Sequence, residues 1–238
     1  MTPEVLYEDD ELLAADKPAG MVVHPSYKNP DGTLLDLLLI ERTGRRLSIV
    51  GRLDKQTSGV VIVAKSPAAH AALQGVLASP DAEKLYLAIV CGCPPESGVI
   101  DLPLARDPDD RRRRMVSDTG AASVTEFNVI DRGRGASGDA ALLQCRLRTG
   151  RRHQIRVHLS ARGWPIVGDR VYGAVIDGVS RHALHAWRVT FGHPSTGMKV
   201  SVESPPPQDF CSLLYSCFAE TSSGTSASAF FQFARNRS

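Results

Sequence analysis

Apolar and polar positions divide the chain into short elements. Val60-Val-Ile-Val-Ala64 is an unbroken apolar, mostly β-branched run behind Ser58-Gly59, the pattern of a buried strand entered from a tight turn. Upstream, Val5–Tyr7 and Leu12–Ala15 predict two short strands around an acidic turn at Glu8–Glu11. Pro18 and Gly20 enforce a turn before Met21–Val23 extends again. Thr33–Ile40, capped by Asp31 or Thr33, and the Ala/Leu-rich Pro67–Leu77 predict helices. Lys84–Val90 alternates as a strand, with Tyr86 on the face of Lys84 and Ala88. Ser123–Ile130, Ala141–Arg148, His182–Phe191 and Val200–Glu203 predict further strands; Asp107–Asp118 reads as a charged loop and 132–138 as a Gly/Arg-rich turn. Arg151–Ala161 predicts a helix with a basic face, Arg152, Arg156 and Leu159 stacking at i, i+4, i+7.

Beyond Pro205-Pro-Pro207 the pattern fades. Residues from Gln208 onward are rich in Ser, Ala and Thr and predict a poorly ordered tail. The expected organisation is one domain over residues 1–210 and a low-complexity tail over 211–238, with no internal repeat.

At 238 residues the chain can bury a sizeable core. Its 28 basic and 26 acidic residues nearly cancel, so distribution carries more than net charge. From Arg146 to Gly168 there are six arginines (Arg146, Arg148, Arg151, Arg152, Arg156 and Arg162) and no acid. Arg111–Arg114 form a second basic block, and Arg42, Arg45 and Arg46 a third. Segregated positive segments suit a polyanion binder, although any single block also suits a solvated face. The five cysteines are odd in number, and their one tight pair, Cys91-Gly-Cys93, matches neither a disulfide framework nor a zinc site. No segment approaches a membrane span or a signal peptide, so the expectation is a cytoplasmic protein that does not associate with membranes.

The chemistry centres on Gly51-Arg-Leu-Asp-Lys-Gln-Thr-Ser-Gly59. Asp54 lies between Arg52 and Lys55 at the mouth of the predicted strand, and neighbouring cations favour a charged carboxylate. Such an Asp serves as a nucleophile, a general base, a metal ligand or half of a structural ion pair. The histidines at 24, 153, 158, 185 and 193 are too scattered for a metal site.

Read with Lys17-Pro-Ala-Gly20, Lys84-Leu-Tyr86, Thr149-Gly-Arg-Arg-His-Gln-Ile-Arg-Val-His158, Gly168-Asp169 and His193-Pro194, this stretch resembles the RluA-type family of pseudouridine synthases. The resemblance runs from about Val5 to Phe210. It implies an α+β fold with a central mixed, largely antiparallel sheet flanked by helices and crossed by an active-site cleft. It also implies an enzyme that detaches a uracil from its ribose in RNA, rotates it and rejoins it through carbon 5, with no metal and no organic cofactor.

By the same resemblance Asp54 matches the essential aspartate, acting by covalent attack or by driving elimination of the base. Tyr86 matches the tyrosine at the flipped base, Arg156 the basic residue paired with the carboxylate, and Arg52 the arginine that enters the vacated stack. Lys17, Thr57, Arg151, Arg152, His153 and Gln154 are expected to contact substrate RNA. The physics agrees: chemistry on both edges of a base requires its extrusion, and a bidentate arginine orients a carboxylate. The helix start near Arg151 would offer amides to phosphate. The expected partner is a transfer or ribosomal RNA stem-loop, bound by a monomer, and the lack of a recognisable N-terminal RNA-binding module leans toward transfer RNA. Gly51 stands where many relatives carry His.

Overall fold

The computed structural model describes residues 3–42, 46–136, 138–173 and 175–218. The chain forms two compact units, Met1–Lys84 with Ala186–Pro205, and Leu85–His185 with the residues from Pro206 onward.

In the first unit, β1 (Val5–Glu8), β2 (Leu12–Lys17) and β3 (Ser48–Val50) join β4 (Ser58–Ala64) through antiparallel pairings β1–β2, β2–β4 and β3–β4. Every residue of β4 is buried, which is why its sequence does not alternate. Val60, Ile62 and Ala64 join a cluster with Leu12, Ala14 and the helix residues Ala69 and Leu73, whereas Val61 and Val63 join Leu13, Ala15, Leu34 and Leu38. The two faces thus carry different helices: α1 (Leu34–Glu41) and α2 (Pro67–Ala78). Thr33 caps α1 in a reciprocal capping box with Asp36, and Ser66 caps α2 ahead of Pro67. The residues from Ala186 of β11 (Leu184–Gly192) belong to this unit, beside β4 and antiparallel to β12 (Lys199–Glu203). Gly59 admits that neighbour: a Cβ there would lie 2.2 Å from the Ala186 carbonyl oxygen.

In the second unit, β5 (Glu83–Cys91, from Leu85), β10 (Gly138–Leu147), β9 (Val124–Gly135) and β6 (Ser97–Asp101) pair in that order, all antiparallel. The helix α3 spans Gln154–Ala161. A short hairpin pairs β7 (Leu104–Arg106) with β8 (Arg114–Val116).

Four expectations change. Met21–Val23 does not form a strand; Val22 and Val23 instead accept hydrogen bonds from Leu34 and Leu35 at the start of α1. Part of the charged segment 107–118 is the returning strand of the β7–β8 hairpin. The turn expected over 132–138 is shorter, because β9 continues to Gly135 and β10 begins at Gly138.

The fourth concerns the tail. Residues 208–218 form α4 (Gln208–Phe218), with Phe210, Cys211, Leu214, Cys217 and Phe218 buried. Those positions fall at i, i+1, i+4, i+7 and i+8, a helical period diluted by the Ser-rich sequence that follows. Asp209 receives Nη2 of Arg181 at 3.0 Å. A Cβ on Gly133 would meet the Cys217 carbonyl at 2.0 Å, so α4 packs directly on β9. The domain therefore continues past residue 210. The remainder of the expected tail, 219–238, lies outside the described residues.

Candidate active site

Asp54 sits half-buried in the turn between β3 and β4, with Arg52 and Lys55 exposed beside it. The Thr57 amide donates to the Asp54 carbonyl (3.1 Å) and closes the turn. A second tie comes from the end of β2, where Lys17 pairs with Gly59. Lys17 is fully buried, at 0% exposure. Its Nζ donates to the carbonyls of Pro18 (2.8 Å), Met21 (2.9 Å) and Lys55 (3.2 Å). The Gly20 amide also donates to the Lys55 carbonyl (2.8 Å). Lys17 thus fastens the turn at 18–21 to the residue that follows Asp54.

Lys17, expected at the substrate, is thus also a structural tie. A buried ammonium is costly unless its donors are satisfied, and backbone carbonyls satisfy them here. Thr57 is likewise buried, at 2% exposure, and serves the turn rather than an open surface.

In the second unit, α3 is buried from Gln154 to Leu159. A helix enclosed on all faces can keep polar residues only if each finds partners. Gln154 accepts from the Thr149 hydroxyl (2.8 Å) and the Arg151 amide (2.9 Å), and donates to the Val124 carbonyl and Thr125 Oγ1 (3.0 Å each). Both ends of its amide are engaged within the protein. His158 lies between Thr125 Oγ1 (2.9 Å) and the Leu102 carbonyl (3.0 Å). A carbonyl only accepts, so Nε2 carries the proton and Nδ1 accepts from Thr125. Burial pushes this imidazole below its ordinary value.

Arg156 projects from the same helix and is 5% exposed. Its Nε and Nη2 bind the two carboxylate oxygens of Asp169 at 2.7 and 2.9 Å. Burial alone would raise the Asp169 carboxyl; the hydrogen bonds and charge of Arg156 outweigh it and hold the group below the usual carboxylate range. Asp169 Oδ1 also accepts from the amides of Val171 (3.0 Å) and Tyr172 (3.2 Å), so one carboxylate orders both the turn and the guanidinium.

Tyr172 completes the arrangement. The Arg156 guanidinium lies 5.0 Å from its ring centroid, and that of Arg113 lies 5.5 Å away. Its hydroxyl accepts from the Arg114 amide (2.6 Å) and bonds His153 Nδ1 (2.8 Å). His153, expected to contact RNA, adopts a left-handed backbone (φ 60°) at the start of α3. That conformation is uncommon outside glycine and starts the helix at Gln154 rather than Arg151.

Arg151 and Arg152 remain exposed. Arg152 Nη2 reaches the Arg112 carbonyl (3.5 Å), which joins this loop to the β7–β8 hairpin and its exposed Arg111, Arg112 and Arg113. Elsewhere the basic blocks are partly neutralised: Arg148 pairs with Glu126, and Arg42 with Glu8 and Glu41. Arg45 lies outside the described residues. Tyr86 is half-buried on β5 opposite Cys145 of β10. Asp54, Arg52, Lys17 and Thr57 belong to the first unit, and Tyr86, Arg151, Arg152, His153, Gln154 and Arg156 to the second.

The family described as RNA pseudouridylate synthase matches residues 11–161, a span holding Asp54, Tyr86 and Arg156. The chain belongs to this family. This pseudouridine synthase of the RluA type is 41% identical over 229 residues to ribosomal large subunit pseudouridine synthase D of Xylella fastidiosa, covering 89% of this chain and 68% of that one. The protein of the same name from Pseudomonas aeruginosa is 40% identical over 229 residues, with 89% and 70% covered. Among solved structures, human RNA pseudouridylate synthase domain containing 1 superposes with a TM-score of 0.72 at 28% identity, covering 87% of this chain and 84% of that one. Human RNA pseudouridylate synthase domain containing 4 gives 0.69 at 25% identity, covering 89% and 91%. The fold is the α+β fold of these synthases, and the chain is an RNA pseudouridine synthase, an isomerase. Among the described residues no helix is long and apolar enough to cross a membrane.

The match ends before Asp169 and Tyr172, the two residues that sequence reasoning left without a site role. Their signal was the Gly168-Asp-Arg-Val-Tyr172 spacing, which puts a carboxylate and a ring three residues apart in one turn.

Proposed function

We propose that this synthase isomerises a uridine in large-subunit ribosomal RNA, with Asp54 as the reacting carboxylate. The observation that carries the assignment is the clamp around Asp54: a fully buried Lys17 and the Gly20 amide converge on the Lys55 carbonyl and hold the turn that presents this carboxylate. The similar bacterial proteins are ribosomal large subunit synthases, which favours ribosomal over transfer RNA.

The target nucleotide leaves its stack, and Arg52, exposed on the same turn, occupies the gap. Asp54 then attacks C1′, forming a carboxylate–C1′ bond as the N1–C1′ bond breaks and uracil departs with the electron pair. Alternatively, the same carboxylate removes the 2′ proton, and the base leaves by elimination. In the first route uracil turns and C5 bonds to C1′ as the carboxylate–C1′ bond breaks and its electron pair returns to Asp54; in the second, C5 bonds to C1′ as C2′ regains its proton. In both, the C5 proton is then removed and N1 takes one up. Tyr86 serves the flipped base, and Arg156, its guanidinium held by Asp169, is the basic residue assigned to the reaction. Exposed Arg151, Arg152 and the hairpin arginines hold phosphates.

The test is Asp54→Asn with unmodified large-subunit ribosomal RNA as substrate. Pseudouridine formation should fall about 10³-fold or more while RNA affinity stays within about threefold, as expected when only transition-state stabilisation is lost. An active Asn variant, or wild type inactive on this RNA and active on transfer RNA, would refute the corresponding half of the proposal.

A further inference from the structure

The loop between β2 and α1 carries an aromatic residue that neither the fold nor the assigned chemistry uses. Tyr27 is completely exposed, at 102% of its reference area, and Lys28 beside it is exposed as well. Chance exposure of a large aromatic ring is common enough on a loose loop. This tip, however, is held by backbone. Ser26 and Asn29 exchange both hydrogen bonds (2.8 and 3.0 Å) and close a two-residue turn with Tyr27 and Lys28 at its apex.

Asn29, which closes the turn, also lines an open cleft of about 300 Å³. It is lined by Pro18, Met21, Asn29, Asp31, Thr33 and Lys55. The volume is at the lower end of the roughly 300–1,000 Å³ usual for small-ligand sites. Lys55 is the neighbour of Asp54, and its carbonyl is the one gripped by Lys17 and Gly20. The cleft is therefore built on the same clamp as the reacting carboxylate.

Resting on the assignment of Asp54, we propose that the Tyr27–Lys28 turn and the adjoining cleft bind a ribonucleotide flanking the target uridine. The base of that nucleotide stacks on the Tyr27 ring, a contact any base can make through its π face. Lys28 and Lys55 take the phosphates on either side, as point charges that fix position without reading sequence. Asp31 disfavours a phosphate inside the cleft and suits a hydroxyl donor, which the ribose 2′-OH supplies and deoxyribose lacks. This contact anchors the strand next to the flipped nucleotide and acts on binding, not on the chemical step.

The experiment uses the full chain and an oligoribonucleotide spanning the uridine located by pseudouridine mapping, with affinity and single-turnover rate measured separately. Loss of one stacked base is expected to weaken binding by roughly 5- to 150-fold, and this exposed site belongs at the lower end. Tyr27→Ala should weaken binding about 5- to 10-fold and leave the rate at saturating RNA unchanged, while Tyr27→Trp should bind as wild type does. An abasic flanking nucleotide should weaken wild type to a similar degree and add nothing to Tyr27→Ala. Wild-type affinity in Tyr27→Ala, or independent losses from the protein and RNA changes, would overturn the proposal. Affinity is read without turnover, so a failure of the Asp54 assignment appears separately, as an Asp54→Asn variant that still makes product.

Discussion

The two units secure their functional side chains in opposite ways. In the first, the buried cation is the anchor: Lys17 binds carbonyls and fixes backbone, and Asp54 projects from what it has fixed. In the second, the buried cation is itself held: Asp169 binds both edges of Arg156, and Tyr172 supports its face. One arrangement fixes a loop and the other aims a guanidinium. Both follow from one rule, that a charge removed from water must be surrounded by partners. The lesson is that a basic residue in a family motif can be committed to holding the fold itself.

The contrast predicts which unit is the more sensitive to losing a single group. Asp169→Asn leaves a buried guanidinium without its counter-charge and should cost about 3–5 kcal/mol. Chemical denaturation checks this, and a loss below about 1 kcal/mol would mean that Arg156 does not depend on this carboxylate. Lys17→Met keeps the bulk but removes the donors to three carbonyls, for an expected cost of about 2–3 kcal/mol. At roughly 2–4 °C per kcal/mol for a chain of this size, the melting midpoint should drop measurably. The activity of the folded variant should fall as well, because the Asp54 turn loses its tie; full activity would separate the clamp from catalysis.

Acid should sharpen the comparison further. The Asp169 carboxyl is held below its ordinary value, so between that value and its folded one the unfolded chain binds more protons. Its stabilisation is present above about pH 4 and is lost as pH falls through the folded value. His158, also depressed, acts in the same direction at higher pH: its unfolded form takes up protons first, so stability declines as pH drops below about 6.5. Unfolding free energies measured from pH 7 to 3 should therefore decline in two stages. Asp169→Asn should flatten the acid stage and Lys17→Met should preserve it; equal acid slopes in wild type and Asp169→Asn would remove Asp169 from the account.

The smallest stability effect belongs to the hairpin. Arg112 is exposed and pairs with Asp110 at 2.8 Å, so Arg112→Ala should leave the denaturation midpoint essentially unchanged. If it holds a phosphate, the salt dependence of RNA binding should become shallower by roughly 0.7–0.9 in log–log slope. An unchanged slope would take Arg112 out of the RNA contact.

Much of this was legible from one dimension. The run Val60–Ala64 specified a strand buried on both faces, and the turn before it placed Asp54 at its mouth. Thr33 and Ser66 marked the helix starts by their side-chain chemistry alone. The helix α4 was also written in the spacing of Phe210, Leu214 and Cys217, but the Ser-rich sequence beyond masked it. These features are local, with periods of two or of three to four residues, and neighbours in sequence determine them.

Partnership was not legible. Lys17 meets Lys55 across 38 positions and Tyr172 meets Arg114 across 58, and nothing near either residue announces the other. A lysine or glutamine spelled within a basic motif has the same letters whether it faces solvent or lies at 0–3% exposure. The sequence by itself determined the elements, the order of the motifs and the turn that carries Asp54, because these depend on residue type and spacing. The tertiary structure alone decided which charges are buried, since burial depends on what folds back over a residue, and desolvation then dictates that the buried ones hold the protein together.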